Sequence, residues 1–286
     1  MPQLRIDYDR YLRRIPTHGH ELPPEAEQPI RHYGRLANDA WNLLQYVGRN
    51  IARTNVYASR LDAHMERLRV MVLLSLAEAF ERFLKECAAA CIDQVHPLIP
   101  DGRLKVFRVS GDRFAPHFQT STLGAALCEA LRWCDCDEAN SRYRSILAMP
   151  YEPGDFYVFP KTPKQQPAAL RDRYEFVSII WHLRHAIVHN RGIITASDAQ
   201  MLQSLCRKPV AGPAVLSPTE ADVWYVKLFL DDTANCLNRE VATRLAGLLS
   251  AVHARNANAF DPGKKAEGLA RQFQETVTVA GEPRSP

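Results

Sequence analysis

Apolar residues recur along this chain at three- and four-residue steps, the spacing of a helix that buries one face. Between Gln28 and Thr54 the positions Leu36, Ala40, Leu43, Val47 and Ile51 fall on one side. A second stripe of Met65, Leu68, Val72, Leu76, Ala79 and Phe83 predicts a long helix from Ser59, an N-cap candidate, to about Gln94. A third helix is expected from about Pro167 to Asn190, with Phe176, Ile180, Leu183 and Ile187 inward and Gly192 at its C-terminal cap. A short helix over Ser197–Arg207 follows. A long one then runs from about Pro218 to Arg255, its apolar face made by Val223, Val226, Phe229, Leu230, Leu237, Val241, Leu245 and Leu248.

The pattern breaks over residues 95–165, where prolines and glycines are frequent. Lys105–Val109 and Asp155–Phe159 read as brief strands, and Thr122–Trp133 as a helix between them. The expected fold is therefore mainly α: a helical domain over residues 28–255 with an irregular α+β insertion between its core hairpins. Residues 1–27, with prolines at 2, 16, 23 and 24, read as an irregular arm. The polar segment 256–286 reads as a flexible tail.

With 286 residues, 46% of them hydrophobic, the chain has ample material for a core. Its net charge of +4 and pI near 8.7 permit contact with nucleic acid without requiring it. The seven cysteines lack disulfide-framework spacing, no apolar leader follows Met1, and the longest apolar run, Val70–Ala77, is too short to span a bilayer. A cytoplasmic protein without a membrane partner is expected. Cys128, Cys134 and Cys136, with Cys87 and Cys91, lack paired Cys-x-x-Cys knuckles, so no metal and no cofactor is expected. His18, His20 and the basic Arg10, Arg13 and Arg14 read as solvated, and the four tryptophans (Trp41, Trp133, Trp181, Trp224) as core residues.

The chemically distinctive segment is His182–Gly192, where Arg184, His185 and His189 crowd the end of the third long helix. His185 and His189 lie one turn apart on one face, and Arg184 lies ~140° from His189 around the axis. The C-terminal end of a helix is the favourable end for cations. Histidine exchanges protons near neutral pH, and a guanidinium offers paired donors to phosphate oxygens. Metal-free cleavage of RNA needs a base for the 2′-hydroxyl, an acid for the 5′-oxygen and a cation for the phosphorane. A histidine and an arginine supply two of these, and two copies facing each other supply them all. The bland alternative is a polar helix end that caps its neighbours. A pairing of Arg184 with Glu78 across the bundle is the less common fate for a surface glutamate.

Arg184-His185-Ala186-Ile187-Val188-His189, followed by Asn190 and Gly192, resembles the R-(N/D/H)-x-x-x-H signature of HEPN domains. Leu73–Phe80 is similar to the helix that precedes the motif helix in such bundles. The resemblance covers about residues 30–94 and 167–255. It implies a helical bundle acting as a metal-independent endoribonuclease, of the kind found in toxin–antitoxin and anti-phage systems. It makes Arg184 and His189 catalytic and His185 supporting, and it places Asn190 and Arg191 where they would contact substrate. It further implies RNA as partner, homodimerisation through the motif helices, and an antitoxin or regulatory protein. The alternative function is a non-catalytic HEPN-like module that binds nucleotide, RNA or protein.

Overall fold

The computed structural model describes residues 28–51, 58–99, 101–108, 122–148, 156–161 and 173–273. The fold among them is mainly helical, with eight α-helices and a two-stranded ribbon. The helices are α1 (Pro29–Ile51), α2 (Ala58–Val95), α3 (Leu123–Glu129), α4 (Cys136–Leu147), α5 (Arg173–Asn190), α6 (Ala196–Cys206), α7 (Glu220–Arg255) and α8 (Pro262–Phe273). A 3-10 helix spans Asp101–Val106, and strands β1 (Ile193–Ile194) and β2 (Ala214–Val215) pair antiparallel between α5 and α7. No helix among the described residues is long and apolar enough to cross a membrane.

The central element is α2, which α1, α3, α4, α5, α7 and α8 all touch. Its expected stripe is realised: Met65, Val72, Leu76, Ala79 and Phe83 are buried and Leu68 is partly so. The aromatic heart forms where Phe80 meets Tyr33 of α1, Trp181 of α5 and Phe159 at ring separations of 6.0–6.4 Å. Each such fully buried side chain contributes about 1.5–3 kcal/mol relative to exposure. In α7, Val223, Leu230, Leu237, Val241, Leu245 and Leu248 are buried as expected. Its start is sharpened by a reciprocal cap, Thr219 Oγ1 accepting from Asp222 N while Asp222 Oδ2 accepts from Thr219 N.

On the first helix the expected Leu36, Ala40 and Val47 pack against the core, but one position departs. On α1 the buried line runs through Tyr33, Ala37 and Leu44, whereas Leu43 is 53% exposed. A helix turned to present Tyr33 to Phe80 and Phe83 must swing Leu43 outward. Trp41 and the 38% exposed Trp224 stack on each other at 4.9 Å, so Trp224 is not a core residue, while Trp133 and Trp181 are.

The middle of the chain departs further from expectation. Lys105 belongs to the 3-10 helix, and Phe156–Phe159 is not a strand. The backbone of Phe159 finds its partners in one side chain: its N–H donates to Asn140 Oδ1 and its carbonyl accepts from Asn140 Nδ2, both at 2.8 Å. The amide thus takes the place of a neighbouring strand. The expected helix Thr122–Trp133 ends at Glu129, with Thr122 as its N-cap, and α4 follows where no helix was expected. Asp135 caps α4, and Tyr143, Ile146 and Leu147 of α4 enter the main core together with Trp133 and Phe159. No strand occurs among the described residues of 95–165, where α3 and α4 are built into the core as helix in place of the expected α+β structure.

The segment expected to be a flexible tail is likewise corrected. Within it, α8 buries Ala266, Leu269 and Phe273, and Lys265 Nζ donates to the carbonyl of Gln94 at the end of α2. Three apolar residues at i, i+3 and i+7 suffice to dock a short helix that is otherwise polar. The irregular arm, with His18, His20, Arg10, Arg13 and Arg14, lies outside the described residues, as do Pro167 and residues 274–286.

Candidate functional site

The end of α5 is fastened by a small cluster of its own. Ala186 packs with Ile194, Ala199 and Leu202, with Ile179 and Leu183 against them, so the ribbon and α6 form a brace beneath the last turns of α5. Arg191 (φ 53°) and Gly192 (φ 81°) turn the chain out of the helix, and Gly192 N–H donates to the Ala186 carbonyl at 2.9 Å. A positive φ is cheap for Gly192 and costly for Arg191, which the brace holds in place. Thr195 then starts α6 through a capping box with Asp198.

This scaffold separates the expected site residues onto two flanks. Arg184 turns toward α2, where its Nη2 lies 3.5 Å from Glu81 Oε2 and 3.9 Å from Glu78 Oε1. The less expected pairing with Glu78 is therefore present, and Glu81 is the nearer carboxylate. Arg184 is three-quarters buried, yet it makes no hydrogen bond among the described residues, and its Nε is buried without a partner. On the outer flank, His185 and His189 are exposed, with ring centroids 4.7 Å apart, and neither makes a hydrogen bond among the described residues.

The remaining expected contacts divide. Asn190 is committed to the brace, its Nδ2 donating to Asp198 Oδ2 at 3.1 Å, so it positions the helix end. Arg191 is exposed beside it and remains open to an anion. The Asp198 carboxylate also accepts from Thr195 N and Oγ1. Burial works against its charge, but the Thr195 bonds, the nearby His185 and the Asn190 amide outweigh it and hold the carboxyl below the ordinary range. His182, half-buried one turn before His185, is harder to protonate than usual because burial disfavours its cation, and His185 adds to this.

Glu81 is the residue facing Arg184 that the sequence did not single out. It is 8% exposed and accepts from the backbone N–H of Trp133 at 3.1 Å, from the Cys134 thiol, and pairs with Lys85 at 3.5 Å. Burial raises its proton affinity, but the thiol, Lys85, the Trp133 N–H and Arg184 together hold the carboxyl below its usual range. The Cys134 thiol is pushed up to about 12 by burial and by the facing carboxylate, so it stays protonated and donates. The signal was present in the sequence: Glu81 stands between Ala77, Phe80 and Leu84 on the apolar side of α2, where an acid is costly unless paired.

Chemically, the helix end offers a largely buried guanidinium facing two carboxylates on one flank and, on the other, two exposed imidazoles that make no hydrogen bond among the described residues. The arginine suits an anion, and the histidines suit proton transfer. No protein-family model, curated protein or solved structure matches the chain.

Proposed function

We propose that this chain is a HEPN-like, metal-independent endoribonuclease that works as a homodimer. The observation that carries the reading is Arg184: a partly buried guanidinium that faces Glu81 and Glu78 but makes no hydrogen bond among the described residues, on the same helix end that exposes His185 and His189 on its other flank. A buried donor without a partner costs about 1–3 kcal/mol, a cost a phosphate ligand would remove. In the reaction, neutral His189 takes the proton of the 2′-hydroxyl as its oxygen attacks phosphorus. Arg184 stabilises the charge of the phosphorane, and the P–O5′ bond breaks as a protonated histidine donates to the leaving oxygen. The products are a 2′,3′-cyclic phosphate and a 5′-hydroxyl. The same residues of a second copy supply the acid, and His185 supports the motif.

The surface around the motif favours such a second copy. Val188 lies between His185 and His189 in sequence and is 44% exposed. In the ribbon that follows the motif helix, Ile193 and Val215 are directly paired and both are exposed. Apolar side chains grouped next to a charged motif suit an isologous contact. A cell would need to restrain such an enzyme, so an antitoxin or other regulatory protein is its natural partner, and toxin or defence work its natural role.

The test is cleavage of single-stranded RNA by purified protein in EDTA, wild type beside Arg184→Ala and His189→Ala, with folding followed by circular dichroism. Cleavage by the wild type alone is expected, with a loss of about 10²–10³-fold or more for Arg184→Ala. RNA binding without turnover by the wild type would replace the reading with that of a binding module. Equal cleavage by all three would remove the motif from the chemistry.

A further inference from the structure

We infer that His185 and His189 form a chelating pair for a transition-metal dication of the Zn²⁺, Cu²⁺ or Ni²⁺ class, bound from solvent at the outer flank of α5. The inference stands on geometry that does not depend on nuclease activity. The two residues are one helical turn apart, both are exposed, and their ring centroids are 4.7 Å apart with the planes inclined by 42°. Metal–imidazole bonds of about 2.0–2.1 Å, meeting at a tetrahedral angle, set two ligand nitrogens ~3.3 Å apart and the ring centroids ~5 Å apart. The observed centroid separation is therefore close to that of two imidazoles on one metal.

Three further features favour the site. No hydrogen bond among the described residues ties down either ring, so no interaction must be broken before a metal binds. The negative end of α5 lies at the same turn, which favours a cation. The carboxylate of Asp198 is close enough to interact with His185, which adds negative charge on that side. Water fills the other coordination positions. Neutral nitrogen donors suit borderline metals and not Mg²⁺ or Ca²⁺, which take oxygen ligands, and the affinity order Ni²⁺ < Cu²⁺ > Zn²⁺ applies.

The experiment is isothermal titration of EDTA-treated, dialysed protein at pH 7.5 with Zn²⁺ and with Cu²⁺, and with Mg²⁺ as the hard-ion control. Wild type is set beside His185→Asn and His189→Asn, both exposed positions whose replacement leaves the core intact. One Cu²⁺ or Zn²⁺ per chain is expected for the wild type, with Cu²⁺ tighter, no Mg²⁺ heat, and loss of the site in each variant. No binding by the wild type, or equal binding by the wild type and both variants, would overturn the inference. The second result would assign the metal to other groups, such as the partly exposed Cys206 and Cys236. Because heat of binding is read directly, a protein that binds metal but cleaves no RNA upholds this inference while defeating the nuclease reading.

Discussion

Arg184 of α5 reaches across the bundle to within 3.5 Å of Glu81 of α2, a carboxylate that at the same time accepts the backbone N–H of Trp133. One buried acid therefore joins three segments: the helix that bears the motif, the central helix, and the turn that leads into α4. A charge in that position persists because the Trp133 N–H and the Cys134 thiol donate to it while Lys85 and Arg184 face it as cations.

Glu81→Ala leaves the Trp133 N–H without its acceptor and the Arg184 guanidinium without its nearer carboxylate. We expect a loss of about 2–4 kcal/mol in unfolding free energy by denaturant titration. Glu81→Gln keeps an acceptor for Trp133 while removing the charge, and is expected to cost less. A double-mutant cycle with Arg184→Ala should return a coupling of about 0.5–3 kcal/mol; a coupling of zero would show that the two side chains do not interact.

Stability should fall on acidification, beginning near neutral pH. The proton affinity of His182 is lowered in the fold, so its contribution is complete above the unfolded value of ~6.5 and is lost as pH falls through the folded value below that. Glu81 and Asp198, both held below the ordinary carboxylate range, add a second loss below the unfolded values of ~3.9–4.3. Melting temperatures from pH 8 to 3 test this. His182→Gln should flatten the decline just below pH 6.5 and leave the acid limb in place, whereas an unchanged profile would remove His182 from the account.

Val188→Asp and Val215→Glu place charges at exposed apolar positions of the motif helix and of the ribbon that follows it. If this face joins two copies, both variants should run as monomers in light-scattering chromatography and lose cleavage while retaining the wild-type circular dichroism spectrum. A dimer that survives both substitutions would place the contact elsewhere.

A Cβ added at Gly124 would lie 2.1 Å from the carbonyl oxygen of Ala89, because α3 crosses α2 at near backbone contact. Asp93 Oδ1 fixes that crossing by accepting from Gly124 N at 2.8 Å. Gly124→Ala should cost about 1–3 kcal/mol as the helices part, read as a lower denaturation midpoint. No loss of stability would mean that the two helices separate freely.

A metal bound at His185 and His189 would occupy the nitrogens that the proposed reaction needs. Micromolar Cu²⁺ or Zn²⁺ should therefore inhibit RNA cleavage, and EDTA should restore it. Activation by either ion would contradict the metal-free mechanism.

Helix periodicity by itself determined the long elements. The stripes of α2 and α7 are dense enough that only one rotation buries them, and the turn at Gly192 bounds the motif helix. It also determined that Arg184, His185 and His189 share one helix end, since spacing along a helix is local geometry. Tertiary structure decided what each of them faces. Leu43 points outward because Tyr33 takes the inner position, and Phe156–Phe159 forms no strand because Asn140 satisfies the backbone of Phe159. The polar helices α4 and α8 join the core through a few apolar residues whose value depends on a surface supplied by distant segments. Glu81 gains its meaning in the same way: its partners Trp133, Cys134 and Arg184 are remote in sequence, and no local pattern encodes contacts between helices.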